Sequence, residues 1–227
     1  MWTENPILGF DTETTGVNPA KERLVTCSLV RVTSDGAQSR FWLADPGVPI
    51  PAAASAIHGI TTERAQQEGQ PITKVLAEIS DALVAHLSRG FAAVAFNASY
   101  DFTLLEAELR RHGLPTLAER LGGEIFPVVD PYLLDRALDR YRRGKRRLID
   151  LVEHYGVGNN DSFHDAETDV RATLRVLAAI VRKYPQVAKM DLREVVDLQI
   201  AANNEFQTFL QSRGRGSGPQ EGWPVPR

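Results

Sequence analysis

Phe10-Asp11-Thr12-Glu13-Thr14-Thr15-Gly16 is the stretch on which the reading of this chain turns. It closes a short apolar run, Pro6 to Phe10, that reads as a buried strand stopping where the acids begin. Residues two apart on a strand share a face, so Asp11 and Glu13 are expected to project together from the strand end. Two carboxylates held that close repel each other unless a cation lies between them. Oxygen ligands of this kind suit a hard ion such as Mg²⁺. Gly16 lets the chain turn away sharply. A strand-end turn with solvated acids would fit the same seven residues, so the decision rests on what the rest of the chain adds.

Working outward, Leu24 to Val32 is rich in Val, Leu and Thr and predicts a second strand. Ser34, Asp35 and Gly36 form a turn, and Gln38 to Leu43 predicts a third strand paired with the second as a hairpin. Asp45 to Pro51, with three prolines and a glycine, is a loop. The spacing of Ile72, Val75, Leu76, Ile79, Leu83 and Leu87 predicts a helix over 72–87. A strand over Ala92 to Phe96 leads into a helix from Ser99 to His112, stopped by Gly113. Val128 and Val129 form a brief strand closed by Asp130 and Pro131. Helices are predicted over Leu148 to His154, Asp165 to Tyr184 (broken by Pro185) and Asp191 to Gln211. The order predicts one α/β domain with a mixed sheet. The expected division is 1–185 for that domain, 186–212 for a helical extension, and 213–227 for a flexible tail rich in Gly, Ser, Pro and Arg.

Two further clusters join the first. Asn97-Ala98-Ser99-Tyr100-Asp101 follows a strand and opens a helix; Asn97 stands where a cap would, and Asp101 lies one turn on, able to face the strand ends. His164-Asp165-Ala166-Glu167-Thr168-Asp169 opens the long helix, with Asp169 at the edge of its apolar face. An acid leaning towards a core needs a partner or a metal. Capping accounts for the former cluster and a surface histidine for the latter when each is taken alone.

Composition sets outer bounds. With 227 residues, 43% hydrophobic and 24% charged, the chain has the make-up of a soluble globular protein. A net charge of −3 gives no global attraction to nucleic acid, so any such contact must be local. Cys27 is the single cysteine, which rules out an intramolecular disulfide and fits a core position. No apolar segment approaches the ~20 residues needed to cross a bilayer. Met1 to Pro6 lacks a signal-peptide pattern. The expectation is a cytoplasmic protein with no membrane partner.

Phe-Asp-x-Glu-Thr-Thr-Gly, then Asn-x-x-x-Asp, then His-x-x-x-x-Asp, in that order, resemble the DEDDh 3′→5′ exonuclease family, and within it the epsilon-type proofreading subunits of bacterial DNA polymerase III. The resemblance runs from about Ile7 to Arg182. It implies a ribonuclease H-like fold with a central mixed sheet of five strands flanked by helices. It implies that Asp11, Glu13, Asp101 and Asp169 bind two Mg²⁺ ions, for which Mn²⁺ substitutes, with Asp11 bridging them. It implies that His164 is the general base and that nucleoside 5′-monophosphates are released. Histidine, with an ordinary pKa near ~6.5, suits proton uptake around neutral pH.

The resemblance also bears on the substrate. Thr14, Thr15 and His58 (in Ile57-His58-Gly59-Ile60-Thr61) are expected near the terminal nucleotide, with Asn97 orienting a neighbour and Phe102 either under a base or in the core. Arg142-Arg143-Gly144-Lys145-Arg146-Arg147 is the most basic stretch, and Arg143, Lys145 and Arg146 are candidate phosphate contacts. The implied partner is single-stranded or 3′-terminal DNA. RNA, a non-catalytic scaffold role, and attachment to a polymerase or sliding clamp stay open as alternatives. Gln207-Thr208-Phe209-Leu210 is only a faint clamp-binding pattern that a packing face explains equally well.

Overall fold

The computed structural model describes residues 1–158, 166–215 and 218–226. After a short 3₁₀ turn at Trp2–Glu4 come β1 (Ile7–Thr14), β2 (Leu24–Thr33) and β3 (Gly36–Asp45). The chain continues through α1 (Ala52–His58), α2 (Thr62–Glu68), β4 (Gln70–Pro71), α3 (Ile72–Leu87), β5 (Ala93–Val94) and α4 (Ala98–Arg111). It then forms α5 (Leu117–Leu121), β6 (Val128–Val129), α6 (Pro131–Leu138), α7 (Leu148–His154), α8 (Ala166–Lys183), α9 (Gln186–Lys189) and α10 (Leu192–Ser212).

The strands form one mixed sheet in the order β4-β3-β2-β1-β5-β6. β1, β2 and β3 are an antiparallel meander, and β5 and β6 add in parallel beside β1. This is the α/β fold expected, with six strands instead of five. The extra strand is β4, two residues that pair with Ala44 and Asp45. A pair of residues ending in proline carries no alternation to read.

Alternation along β1 divides the core. Leu8 and Phe10 face α3 and α4, joining Leu29, Leu76, Ile79, Phe102 and Leu105 in one buried cluster. On the other face, Val94, Val129, Leu134, Val176, Ile180 and Val195 pack together beneath α6, α8 and α10. Gly9 belongs to this second face: a Cβ there would come within 2.4 Å of Val170 Cγ1, so its absence lets α8 lie directly on β1. Among the described residues, no helix is long and apolar enough to cross a membrane.

The C-terminal part is built into the domain. Gln199 of α10 is fully buried; its amide accepts from Asp130 N at 2.6 Å and donates to Val128 O at 3.2 Å. In the segment expected to be a flexible tail, Trp223 and Val225 pack against the cluster beneath α3 and α4.

Candidate active site

Asp11 and Glu13 share the face of β1 that carries Gly9, and Asp169 stands in the first turn of α8, one residue before the Val170 that presses on Gly9. The closeness of α8 to β1 therefore brings a third acid to the first two. One carboxylate oxygen from each of Asp11, Glu13 and Asp169 lies within 4.8 Å of the others, and all three residues are half-buried. Three anions so placed favour a cation among them, and an all-oxygen set suits a hard divalent ion. The donor set fits the metal that the resemblance implies.

Asp101 reaches the same strand from the opposite side. Thr12 points to the α4 face, where Asp101 Oδ1 accepts from Thr12 N at 3.0 Å and from Thr12 Oγ1 at 2.6 Å. Burial pushes the Asp101 carboxyl up to about 7, against the pull of the Thr12 hydrogen bonds. Of the four expected acids, three converge, and Asp101 is held behind Thr12, outside that group. His164 lies outside the described residues, as does Asp165, the expected first residue of the long helix.

Asn97 occupies the N-cap position of α4 but makes no capping bond with its side chain, contrary to the capping role expected. It has φ of 60°, the one positive φ outside glycine among the described residues. Asp130 does the capping from a distance, accepting from Asn97 N at 3.1 Å and Ala98 N at 3.0 Å while also capping α6 through Tyr132 N at 2.9 Å. Burial raises its carboxyl to about 7 despite these donors.

The threonines after the acids shape a turn. Thr14 Oγ1 bonds Gly16 O at 2.7 Å and the Tyr100 hydroxyl at 2.6 Å, and that hydroxyl also donates to Gly16 O. Thr15 Oγ1 donates to Glu22 at 2.7 Å and accepts from Arg23 N at 2.9 Å. Both hydroxyls are thus engaged within the protein. His58 comes to the same end of β1, against the Thr14 backbone; Ile60 N donates to its Nδ1 at 3.2 Å, and burial lowers its pKa, so the ring is neutral near pH 7.

Two expected substrate contacts are corrected. Phe102 is fully buried, edge-on to Phe10 with ring centroids 5.3 Å apart, and is a core residue. Arg146 is spent on the buried Asp135, shared with Arg142 at 3.2 Å and with the Tyr155 hydroxyl at 2.8 Å. Arg147 pairs with Asp150 at 2.8 Å. Arg143 and Lys145 are exposed and make no ion pair among the described residues, so the basic stretch offers two free cations of its five.

Thr12, Tyr100, Asp130 and Gln199 are site-building residues that the sequence reading did not single out for these roles. Asp130-Pro131 was the one readable signal among them, since an acid before proline marks a helix start.

Comparison with known proteins agrees with this geometry. Against curated proteins, the chain is 26% identical over 200 residues to the PolC-type DNA polymerase III of Streptococcus thermophilus, covering 87% of this chain and 13% of that protein. It is 30% identical over 170 residues to the PolC-type enzyme of Streptococcus pyogenes serotype M2, covering 74% and 10%. The chain thus spans about a tenth of the length of these relatives. Among solved structures, E. coli exonuclease I in complex with a dA16 oligonucleotide superposes with a TM-score of 0.64 at 20% identity, covering 80% of this chain and 42% of that one. Exonuclease X in complex with 5′ overhanging duplex DNA gives 0.58 at 20% identity, covering 85% and 99%. These two likenesses establish the fold. Residues 8–177, which hold every converging acid, match the model of the RNase T exonuclease family, and the chain belongs to that family of exonucleases.

Proposed function

We propose that this chain removes nucleotides one at a time from the 3′ end of DNA in the cytoplasm, in proofreading or repair, releasing nucleoside 5′-monophosphates. The observation that carries the reading is the convergence of Asp11, Glu13 and Asp169 from a strand end and a helix start. These three, with Asp101 behind Thr12, would hold two Mg²⁺ ions, and Mn²⁺ would substitute. Bound there, divalent cations supply Lewis acidity towards the phosphate and its leaving oxygen.

The protein's own residues do the rest. Thr12 fixes the Asp101 carboxylate with two hydrogen bonds, so its orientation is set before any ligand arrives. Thr14, Tyr100 and Gly16 lock the turn that follows Glu13. Neutral His58 sits against that turn and is suited to meet the terminal nucleotide without repelling or trapping its phosphate. His164, five residues before Asp169 in the sequence, takes the proton of the attacking water. Exposed Arg143 and Lys145 meet the backbone of the strand.

The test is degradation of matched 5′-labelled DNA and RNA with 3′ overhangs, in Mg²⁺, Mn²⁺ or chelator, beside Asp11→Ala and His164→Ala. A metal-dependent ladder shortening from the 3′ end of DNA, lost in both variants, is expected. Preference for RNA would change the substrate, and no cleavage of either strand would overturn the reading.

A further inference from the structure

The two margins of the sheet are finished differently. At one, the Gln199 amide of α10 covers β6. At the other, β4 pairs only with Ala44 and Asp45, so from Gly36 to Leu43 the strand β3 is paired on one side alone among the described residues, with β2. Gly36 to Phe41 are all exposed. The β2–β3 register runs from Thr33↔Gly36 to Thr26↔Leu43 without a bulge, and the stretch holds no proline. Every second residue of such a strand turns its N–H and C=O outward. A regular, uncovered margin of this length is a template for a further strand.

The side chains along this margin set what an added strand would carry. On the α3 face, a pocket of about 370 Å³ opens where the C-terminal end of α3 crosses β1, β2 and β3. Leu8, Leu29 and Phe91 give it an apolar floor, Arg31, Arg40 and Arg89 line it as well, and no acid does. Arg40 shares Glu78 at 3.3 Å and lies 4.5 Å over the Trp42 ring. Arg31 and Arg89 make no ion pair among the described residues. Burial lowers the pKa of His86, another wall of the pocket, and the charges of Arg31 and Arg89 lower it further. On the opposite face of β3, the exposed Phe41 ring follows Ser39, which bonds Glu167 and Arg171 of α8. Alternation thus offers an added strand cations on one face and an apolar ring on the other. A nucleobase on the apolar floor would leave most of its edge groups unpaired, with Gln38 the one side-chain amide in the lining. A second copy adding by the same margin would bring its own Arg40 to a rim already cationic. Carboxylates answer the arginines without either cost.

We infer that the open margin of β3 docks an extended acidic segment of a partner protein, which adds a strand along Gly36–Leu43 and alternates carboxylates over Arg31 and Arg40 with apolar side chains beside Phe41. The probe is a capped, fluorescein-labelled decapeptide alternating glutamate and valine, titrated with the full chain in chelator and followed by fluorescence polarisation. Saturable binding is expected. The same peptide with lysine in place of glutamate should bind about tenfold more weakly or worse. Two further peptides carry N-methyl groups on alternate residues, one set each. An added strand pairs through one set only, so one of them should lose about tenfold and the other little. In the protein, Arg31→Glu with Arg40→Glu should weaken the parent peptide by a similar factor. The peptide comparisons on the unaltered protein stand even if that variant misfolds. Failure of the parent peptide to bind, or equal binding by the two methylated peptides, overturns the inference. Release of the bound peptide by an equal concentration of a thymidine octamer also overturns it, in favour of a nucleic-acid surface. A dimer in sedimentation velocity that the double variant abolishes overturns it in favour of a second copy.

Discussion

On one face of β1, Asp11 and Glu13 stand half-buried beside Asp169, three acids within 4.8 Å. On the other face, Asp101 is buried and already bonded to Thr12, with Asp130 near enough to raise its pKa further. The same side-chain chemistry is thus set up in two ways by a single alternating strand. The first face keeps its acids crowded and accessible, which suits a cation. The second binds its acids into the fold, which suits orientation.

Asp11→Asn tests the crowded face and should have the largest effect. Exonuclease turnover should fall on the order of a thousandfold or more. Melting temperature in chelator should hold or rise, because one of three repelling charges is gone. A marked drop in melting temperature would make Asp11 part of the scaffold.

Thr12→Val tests the bound face. It removes the hydroxyl donor to Asp101 while keeping the shape of the side chain. Activity or metal affinity should fall ~10–100-fold, with the Mg²⁺ concentration for half-maximal rate rising. An unchanged metal titration would show that Asp101 needs no such anchor.

Gly9→Ala attacks what brings α8 onto the strand. The new methyl would meet Val170 Cγ1 at 2.4 Å and Leu174 Cδ1 at 3.0 Å. Destabilisation of about 1–3 kcal/mol is expected in urea unfolding. Activity should fall further than that loss of folded protein explains, since Asp169 moves with α8.

The smallest effect is a pH trend at Asp130. Burial raises its carboxyl from 3.8 to about 7, so the folded chain holds a proton there that the unfolded chain has released. Stability relative to Asp130→Asn should therefore decline as pH rises from about 4 to about 7 and level off above that. Melting curves of both proteins across that range, in chelator, check the sign; a gap that widens with pH would contradict it.

What could be read beforehand follows from the range of the forces involved. β2, β3, α3, α4 and α10 emerge within about two residues of their sequence-based limits, because alternation and helical spacing are local signals, whereas β1 runs on to Thr14, four residues past the expected end at Phe10. The predicted strand at 92–96 shrinks to Ala93–Val94, since the chain turns at Asn97 to meet Asp130. The short helices α1, α2, α5, α6 and α9 were not foreseen, although Thr116 with Glu119 forms a capping box and Pro131 starts α6 in its first turn. Asp11, Glu13 and Asp169 were legible from spacing. The Thr12–Asp101 bond, 89 residues apart in sequence, was not, nor was the loss of Arg146 to Asp135.

The bond pattern of Gln199 bears on where this protein can be cut. β6 is the last strand of its sheet, and an outermost strand with bare peptide groups invites pairing with a stranger. The Gln199 amide, which carries the same donor and acceptor as a peptide unit, occupies the carbonyl of Val128 and the amide of Asp130 as a further strand would. A fragment ending at 185 would lose that cover along with α10. It would present an open sheet margin at β6, and a tendency to self-associate is the expected consequence.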